Sequence, residues 1–322
     1  MGGNTDIDAP VATDLPPATG GTTADAKAPD GAGGSTGTGS DAKDSKIADT
    51  KVPDAGGATG QDAGIADARD ATVDSADAPV DVCVLCTIGT TLIHRYNFDG
   101  KNDSTTLTDL VGGAAGNGAV IGTFLSGSGT LALTGGSDQY AELPKKILSP
   151  LTSATLEFWV TWNGGDNNQR IMDFGNNVQD GSNYRAISTV IISPNSTPSA
   201  GEAARLRASF CKDTAVANSS VYADAPNNSL LPTGTQQQIV VVFDGTNHTL
   251  AMYLNGVLQG QTAWTDALAS ITDTNAYLGH SQYSNDPGFN GAYHEVRIYR
   301  EPLTAAQVKA VFAAGTEASF TQ

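Results

Sequence analysis

The segment Ala154-Thr155-Leu156-Glu157-Phe158-Trp159-Val160-Thr161-Trp162 sets Leu156, Phe158, Val160 and Trp162 at every second position. That period belongs to a strand with one buried face, because successive side chains of an extended backbone point to opposite sides. Segments of similar character, β-branched or aromatic and bounded by Gly, Asn, Asp or Pro, run along the chain on either side. Before it they cover residues 92–98, 119–124, 130–133 and 140–143. After it they cover 169–174, 186–193, 204–211, 238–243, 249–254, 276–279 and 292–299. Leu254-Asn255-Gly256-Val257 predicts a tight hairpin, since Asn-Gly accepts the positive φ angles of a type I′ turn. One helix is expected, at the end. Thr304 and Gln307 form a capping box, residues 305–314 favour a helix and Gly315 supplies the stop. Many short strands closed by one helix predict an all-β, two-sheet antiparallel sandwich.

None of this pattern reaches the front of the chain. All 21 aromatics of the 322 residues lie beyond position 82, while residues 1–82 hold 15 Asp, no Glu, 4 Lys and 1 Arg. That stretch carries −10 of the total formal charge of −17. Without aromatics and with such one-sided charge it lacks the apolar surface to offset chain entropy. Residues 1–86 are therefore read as a disordered acidic linker rich in Ala, Asp, Gly, Thr and Pro, and residues 87–322 as the folded domain. The acidic balance excludes nucleic acid and anionic membrane surfaces as partners, both of which need clustered Lys and Arg. No run approaches the roughly 18 apolar residues of a membrane span.

The start of the linker does not read as a signal segment. Its opening, Met1-Gly2-Gly3-Asn4-Thr5, resembles a bacterial lipoprotein whose lipidated cysteine has been replaced by Met1. The expectation is a tether, lipid-anchored at the true N-terminus, holding the domain beyond the cell surface. Cys83-Val84-Leu85-Cys86 has the spacing of a metal knuckle, but a structural zinc needs four ligands and no second pair exists. The expected alternative is a disulfide at the domain's entrance, within the pair or from one member to Cys211.

The order of several segments is recognisable. Residues 92–100, Leu-Ile-His-Arg-Tyr-Asn-Phe-Asp-Gly, precede Asp109 and the Gly-rich loop at 112–118. Residues 131–144 and the strand at 155–162 follow, then the pair Val240-Val241-Val242-Phe243-Asp244-Gly245 and Met252-Tyr253-Leu254-Asn255-Gly256. Phe289-Asn290-Gly291-Ala292-Tyr293-His294-Glu295-Val296-Arg297-Ile298-Tyr299 closes the series. Over residues 90–315 the chain resembles the laminin G-like jelly roll of the concanavalin A-like lectin/glucanase superfamily. The resemblance implies two curved sheets face to face in a secreted or surface module that binds glycans or proteins. It also implies a calcium ion at the rim in many members. Asp99, Asp138 and Glu295 are the candidate ligands here, although His294 stands where related modules commonly carry Asp.

Enzymes of that superfamily use two carboxylates on one strand face. The best strand offers only Glu157; Asp166 lies in a loop, and Asp173 stands alone. His94, His248, His280 and His294 lack a Gly-x-Ser-x-Gly elbow and metal spacing, and are read as strand or turn residues. The chain is therefore expected to bind without catalysis. A glycan or an extracellular protein is the partner, and calcium the one cofactor considered. Aromatics and polar groups coincide at Trp162, Arg170, Asp173, Tyr184, Tyr283 and Asp286, the expected ligand-binding set.

Overall fold

Leu156, Phe158 and Val160 are fully buried on the inner face of β6 (Ala154–Trp162), with Trp162 nearly so. The computed structural model describes residues 82–198 and 201–320. The tether and lipid-anchor expectations fall on residues outside these. Sheet A runs β1 (Leu92–Tyr96), β15 (Asn290–Tyr299), β6, β11 (Gln236–Asp244), β12 (Thr249–Leu254) and β13 (Val257–Ala263), with β4 (Leu131–Thr134) also paired to β15. Sheet B begins with β10 (Ser220–Asp224), β9 (Arg205–Cys211), β8 (Asn183–Ser196) and β7 (Met172–Asp180). It continues through β14 (Asn275–Leu278), β5 (Tyr140–Glu142), β3 (Gly118–Ile121) and β2 (Thr106–Leu107). Every pairing of these strands is antiparallel.

The two sheets share one core. Phe158, Val241 and Ile298 of sheet A meet Phe174, Val190 and Phe210 of sheet B in a continuous buried cluster. Trp264 joins it edge-on to Phe210 and Phe243, with ring centroids 5.4 and 5.2 Å away.

The outer faces of the sheets differ, and the difference positions the site. Sheet A is covered on its outside by α1 (Val82–Gly89) and α2 (Ala305–Ala314). Ile88, Val308 and Val311 pack there on Val240, Val242, Ala251, Tyr253 and Tyr299. Trp159 stacks on Phe312 at 5.8 Å. Alternation predicted one buried face for β6, but the helices bury the other as well, so eight of its nine residues are buried. Sheet B has no such helical cover among the described residues.

The turn chemistry follows the sequence. Asn255 and Gly256 take φ values of 50° and 75° in the β12–β13 hairpin. Thr304 and Gln307 make the reciprocal capping box at the start of α2. α1 lies outside the expected strand-only opening, and it straddles position 86. Its sequence, Val-Cys-Val-Leu-Cys-Thr-Ile-Gly, is poor in strong helix formers, so burial of Ile88 against sheet A and α2 holds it rather than propensity. The strands β2 and β10 were also not anticipated. Among the described residues no helix is long and apolar enough to cross a membrane.

The expected staple to Cys211 is not formed. Cys211 is a buried thiol on β9 whose Sγ lies 3.3 Å from Ser219 Oγ. Cys86 sits half-buried in α1, and the side chain of Cys83 falls outside the described residues.

Candidate ligand-binding groove

In sheet B, Phe174, Val190, Leu206, Ala208, Phe210 and Ala223 point into the core. Alternation therefore sends Asp173, Thr189, Ile191, Arg207, Ser209, Cys211 and Tyr222 to the outer face. Three loops, at 197–198, 214–219 and 279–286, rise around that face. Between them lies a groove of about 370 Å³, within the ordinary range of ligand clefts.

One wall is built on Arg170. Its Nη2 donates to Asp286 Oδ2 at 2.5 Å and its Nη1 to the Asn168 carbonyl at 2.7 Å. Ser281 Oγ also donates to Asp286 Oδ2 at 2.7 Å, which fixes the 279–286 loop and its Tyr283 above the sheet. Asp173 anchors this wall from below, fully buried. Its Oδ2 accepts from the Gln282 backbone N–H at 3.0 Å and stands 3.7 Å from Arg170 Nε. Burial pushes the Asp173 carboxyl up to about 7 against the opposing pull of Arg170. The same burial, with Asp173 nearby, raises the Tyr283 phenol.

The opposite wall is Tyr222, 45% exposed, with the Arg207 guanidinium 4.0 Å from its ring centroid. Arg207 is held in plane by Asp224, Nε to Oδ1 at 2.6 Å and Nη2 to Oδ2 at 2.7 Å. The floor between the walls is formed by Thr189, Ile191, Ser209 and Cys211. Thr197 Oγ1 borders the groove with no hydrogen-bond partner. A flat aromatic surface beside hydroxyls is what sugar rings require, since their C–H faces stack while their hydroxyls pair.

Of the residues expected at a ligand site, Arg170, Tyr283 and Asp286 line this groove and Asp173 underlies it. Tyr184 does not line it. Its side chain is 50% exposed, and its backbone N–H donates to Ser284 Oγ at 3.0 Å, bracing the loop. Trp162 is corrected: it is 2% exposed in the core, its Nε1 donating to Gln169 Oε1 at 3.1 Å. Arg207 and Tyr222 were missed. The alternation of Arg205, Arg207, Ser209 and Cys211 with Leu206, Ala208 and Phe210 carried the signal for the first. The second sits on the unanticipated β10.

The three expected calcium ligands are not gathered. Glu295 is 1% exposed and accepts from Arg95 Nε at 2.5 Å and Arg297 Nε at 2.8 Å. Asp99 accepts from the side chain of its neighbour Asn97, and Asp138 is exposed on another loop. Among the described residues no three His, Cys, Asp or Glu side chains converge on one point. Three of the histidines have partners within the fold: His94 Nδ1 lies 2.6 Å from Asp109 Oδ2, His294 Nε2 meets Thr161 Oγ1 at 2.9 Å, and His280 stacks on Tyr140 at 4.5 Å.

The laminin G family model described as concanavalin A-like lectin/glucanases superfamily matches residues 134–309, more than half of the chain. The chain belongs to the concanavalin A-like lectin/glucanases superfamily. All described residues of the groove lie inside the matched stretch. Several solved structures are also similar to the chain. Domain 4 of an extracellular arabinanase from Geobacillus stearothermophilus, in complex with arabinotriose, is 19% identical with a TM-score of 0.49, covering 68% of this chain and 97% of that one. A botulinum neurotoxin type C structure, described as interacting with two ganglioside molecules, is 15% identical with a TM-score of 0.50, covering 71% and 52%. A Ruminococcus gnavus IT-sialidase CBM40 is 15% identical with a TM-score of 0.44, covering 57% and 96%. No curated protein matches the chain.

Proposed function

We propose that this chain is a non-catalytic carbohydrate-binding module whose site is the groove on the outer face of sheet B. The observation that carries the reading is the pairing of Tyr222 and Tyr283 across a floor of hydroxyls and a thiol, with every nearby charge held by a partner. Such a groove offers ring-stacking surface and neutral hydrogen-bonding groups. Membership in a superfamily of lectins and glucanases supports the same class of ligand. Glycoside hydrolysis requires two carboxylates flanking the scissile bond. Among the described lining residues Asp286 is the one carboxylate, and Asp173 is sealed beneath the 279–286 loop. The module is presented outside the cell, with the acidic stretch 1–86 as its tether.

A glycan array probed with the full chain, with and without calcium, tests the reading. Binding that falls at least tenfold in both Tyr222→Ala and Tyr283→Ala is expected. The absence of any glycan hit, with a protein partner recovered by pull-down, would replace it with an adhesion role.

A further inference from the structure

We infer that the groove selects neutral glycans and discriminates against carboxylated or sulfated ones. The inference rests on the glycan-binding reading above and narrows it to a ligand class.

An anionic sugar is drawn most strongly by a guanidinium or ammonium group whose charge is not already balanced by a protein carboxylate. Two guanidinium groups reach this groove, and both are already neutralised. Arg207 forms two parallel bonds to Asp224, at 2.6 and 2.7 Å, and its flat face is taken by Tyr222. Arg170 gives Nη2 to Asp286 and Nη1 to the Asn168 carbonyl, while its Nε faces Asp173 at 3.7 Å. A ligand carboxylate approaching either guanidinium would meet a charge that Asp286 or Asp224 already balances. Two carboxylates would then share one counter-charge at close range. The remaining groove-lining groups, Thr189, Thr197, Ser209 and Ser220 among them, are uncharged donors and acceptors suited to sugar hydroxyls. The domain as a whole also repels anions, since residues beyond position 82 carry −7.

Matched pairs of ligands test this by isothermal titration of the full chain: galactotriose against trigalacturonic acid, and lactose against sialyllactose. The expected result is binding of a neutral member at least tenfold tighter than its acidic counterpart. Its affinity should change less than twofold between 50 and 500 mM salt. Acidic members that bind equally or more tightly, with affinity falling steeply as salt rises, overturn the inference and leave the glycan reading intact. Binding of neither class, extended to the wider array, overturns both together. Asp286→Asn, which releases the Arg170 charge into the groove, should shift the acidic-to-neutral ratio at least fivefold towards acidic ligands. Asp224→Asn, at a more exposed position, does the same for Arg207 if the first variant fails to fold. A ratio unchanged in a folded variant shows that these ion pairs do not set the selectivity.

Discussion

Arg297 on β15 donates from Nη1 to Glu157 Oε1 on β6 at 3.1 Å, and both side chains are fully buried. They form the centre of a network on the outer face of sheet A. Glu157 also accepts from Trp159 Nε1 and Gln238 Nε2, each at 2.8 Å, and from Tyr299 OH at 2.6 Å. Arg297 reaches Glu295 through Nε and the Thr316 carbonyl through Nη2, at 2.8 and 2.6 Å. Glu157, the carboxylate best placed by sequence for a catalytic role, is thus consumed by structure. Nearby charge raises the Arg297 guanidinium although burial opposes it, and burial raises the Glu295 carboxyl despite the facing arginines.

Arg297→Met should therefore be costly, because it leaves buried Glu157 without a counter-charge and Glu295 with Arg95 alone. A loss of about 3–5 kcal/mol is expected, the usual penalty for orphaning a buried charge. Urea denaturation measures it, and a loss below about 1 kcal/mol would contradict the account.

Asp173 makes stability fall as pH rises. Its folded carboxyl titrates at about 7, above the ordinary value near 4, so the folded state holds a proton that the unfolded chain has released. The contribution is whole below about pH 4 and lost as pH climbs through 7. Asp173→Asn imitates the protonated form. The variant should gain on the order of 2 kcal/mol over the native chain at pH 8 and little at pH 4. Equal effects at both pH values would show that Asp173 is not titrating in this range.

Asp109 acts in the opposite sense. Burial would raise its carboxyl, but the His94 hydrogen bond and backbone N–H groups of Arg95, Gly112 and Val111 outweigh burial and lower it. Its stabilisation is present above about pH 4 and lost as pH falls through the lowered folded value. Asp109→Ala should cost about 1–3 kcal/mol at pH 7 by leaving those N–H groups unpaired. Gly116→Ala should disturb the same turn, since a Cβ there would lie 2.0 Å from Asp109 Oδ2. Thermal melts of both variants check this; native-like melting of either would refute the close packing.

Trp162 and Tyr222 should separate stability from binding. Trp162→Phe removes a core donor to Gln169 and should lower stability by about 1–2 kcal/mol while leaving glycan affinity within twofold. Tyr222→Ala should do the reverse, losing about 1.4 kcal/mol of binding, a factor of ten, with unfolding nearly unchanged. Parallel denaturation and titration of the pair decide the matter. Loss of affinity in Trp162→Phe would return that residue to the site.

Much of the fold was legible because sandwich strands announce themselves by alternation and their turns by chemistry. Leu156, Phe158, Val160 and Trp162 face the core as their spacing predicts, Asn255-Gly256 turns with positive φ, and Thr304 caps α2. Alternation states which residues share a face. It does not state what covers that face, so Glu157 and Trp159 could not be placed under α2 and the chain beyond it. α1 escaped notice for a related reason. Its residues have weak helix propensity, and the packing that holds Ile88 comes from sheet A and α2, far along the chain.

By itself, then, the sequence determined the architecture, the turns, and the separation of an acidic front from an aromatic-bearing domain. These are properties of local spacing and composition. Tertiary structure alone decided where a ligand can be held. It buried Trp162, neutralised Glu295, and set Arg170 against Asp286 across 116 residues and Arg207 against Tyr222 on an adjacent strand. A groove depends on which outer face is left uncovered and which charges have already found partners. Both are settled by contacts between distant segments, and no local pattern records them.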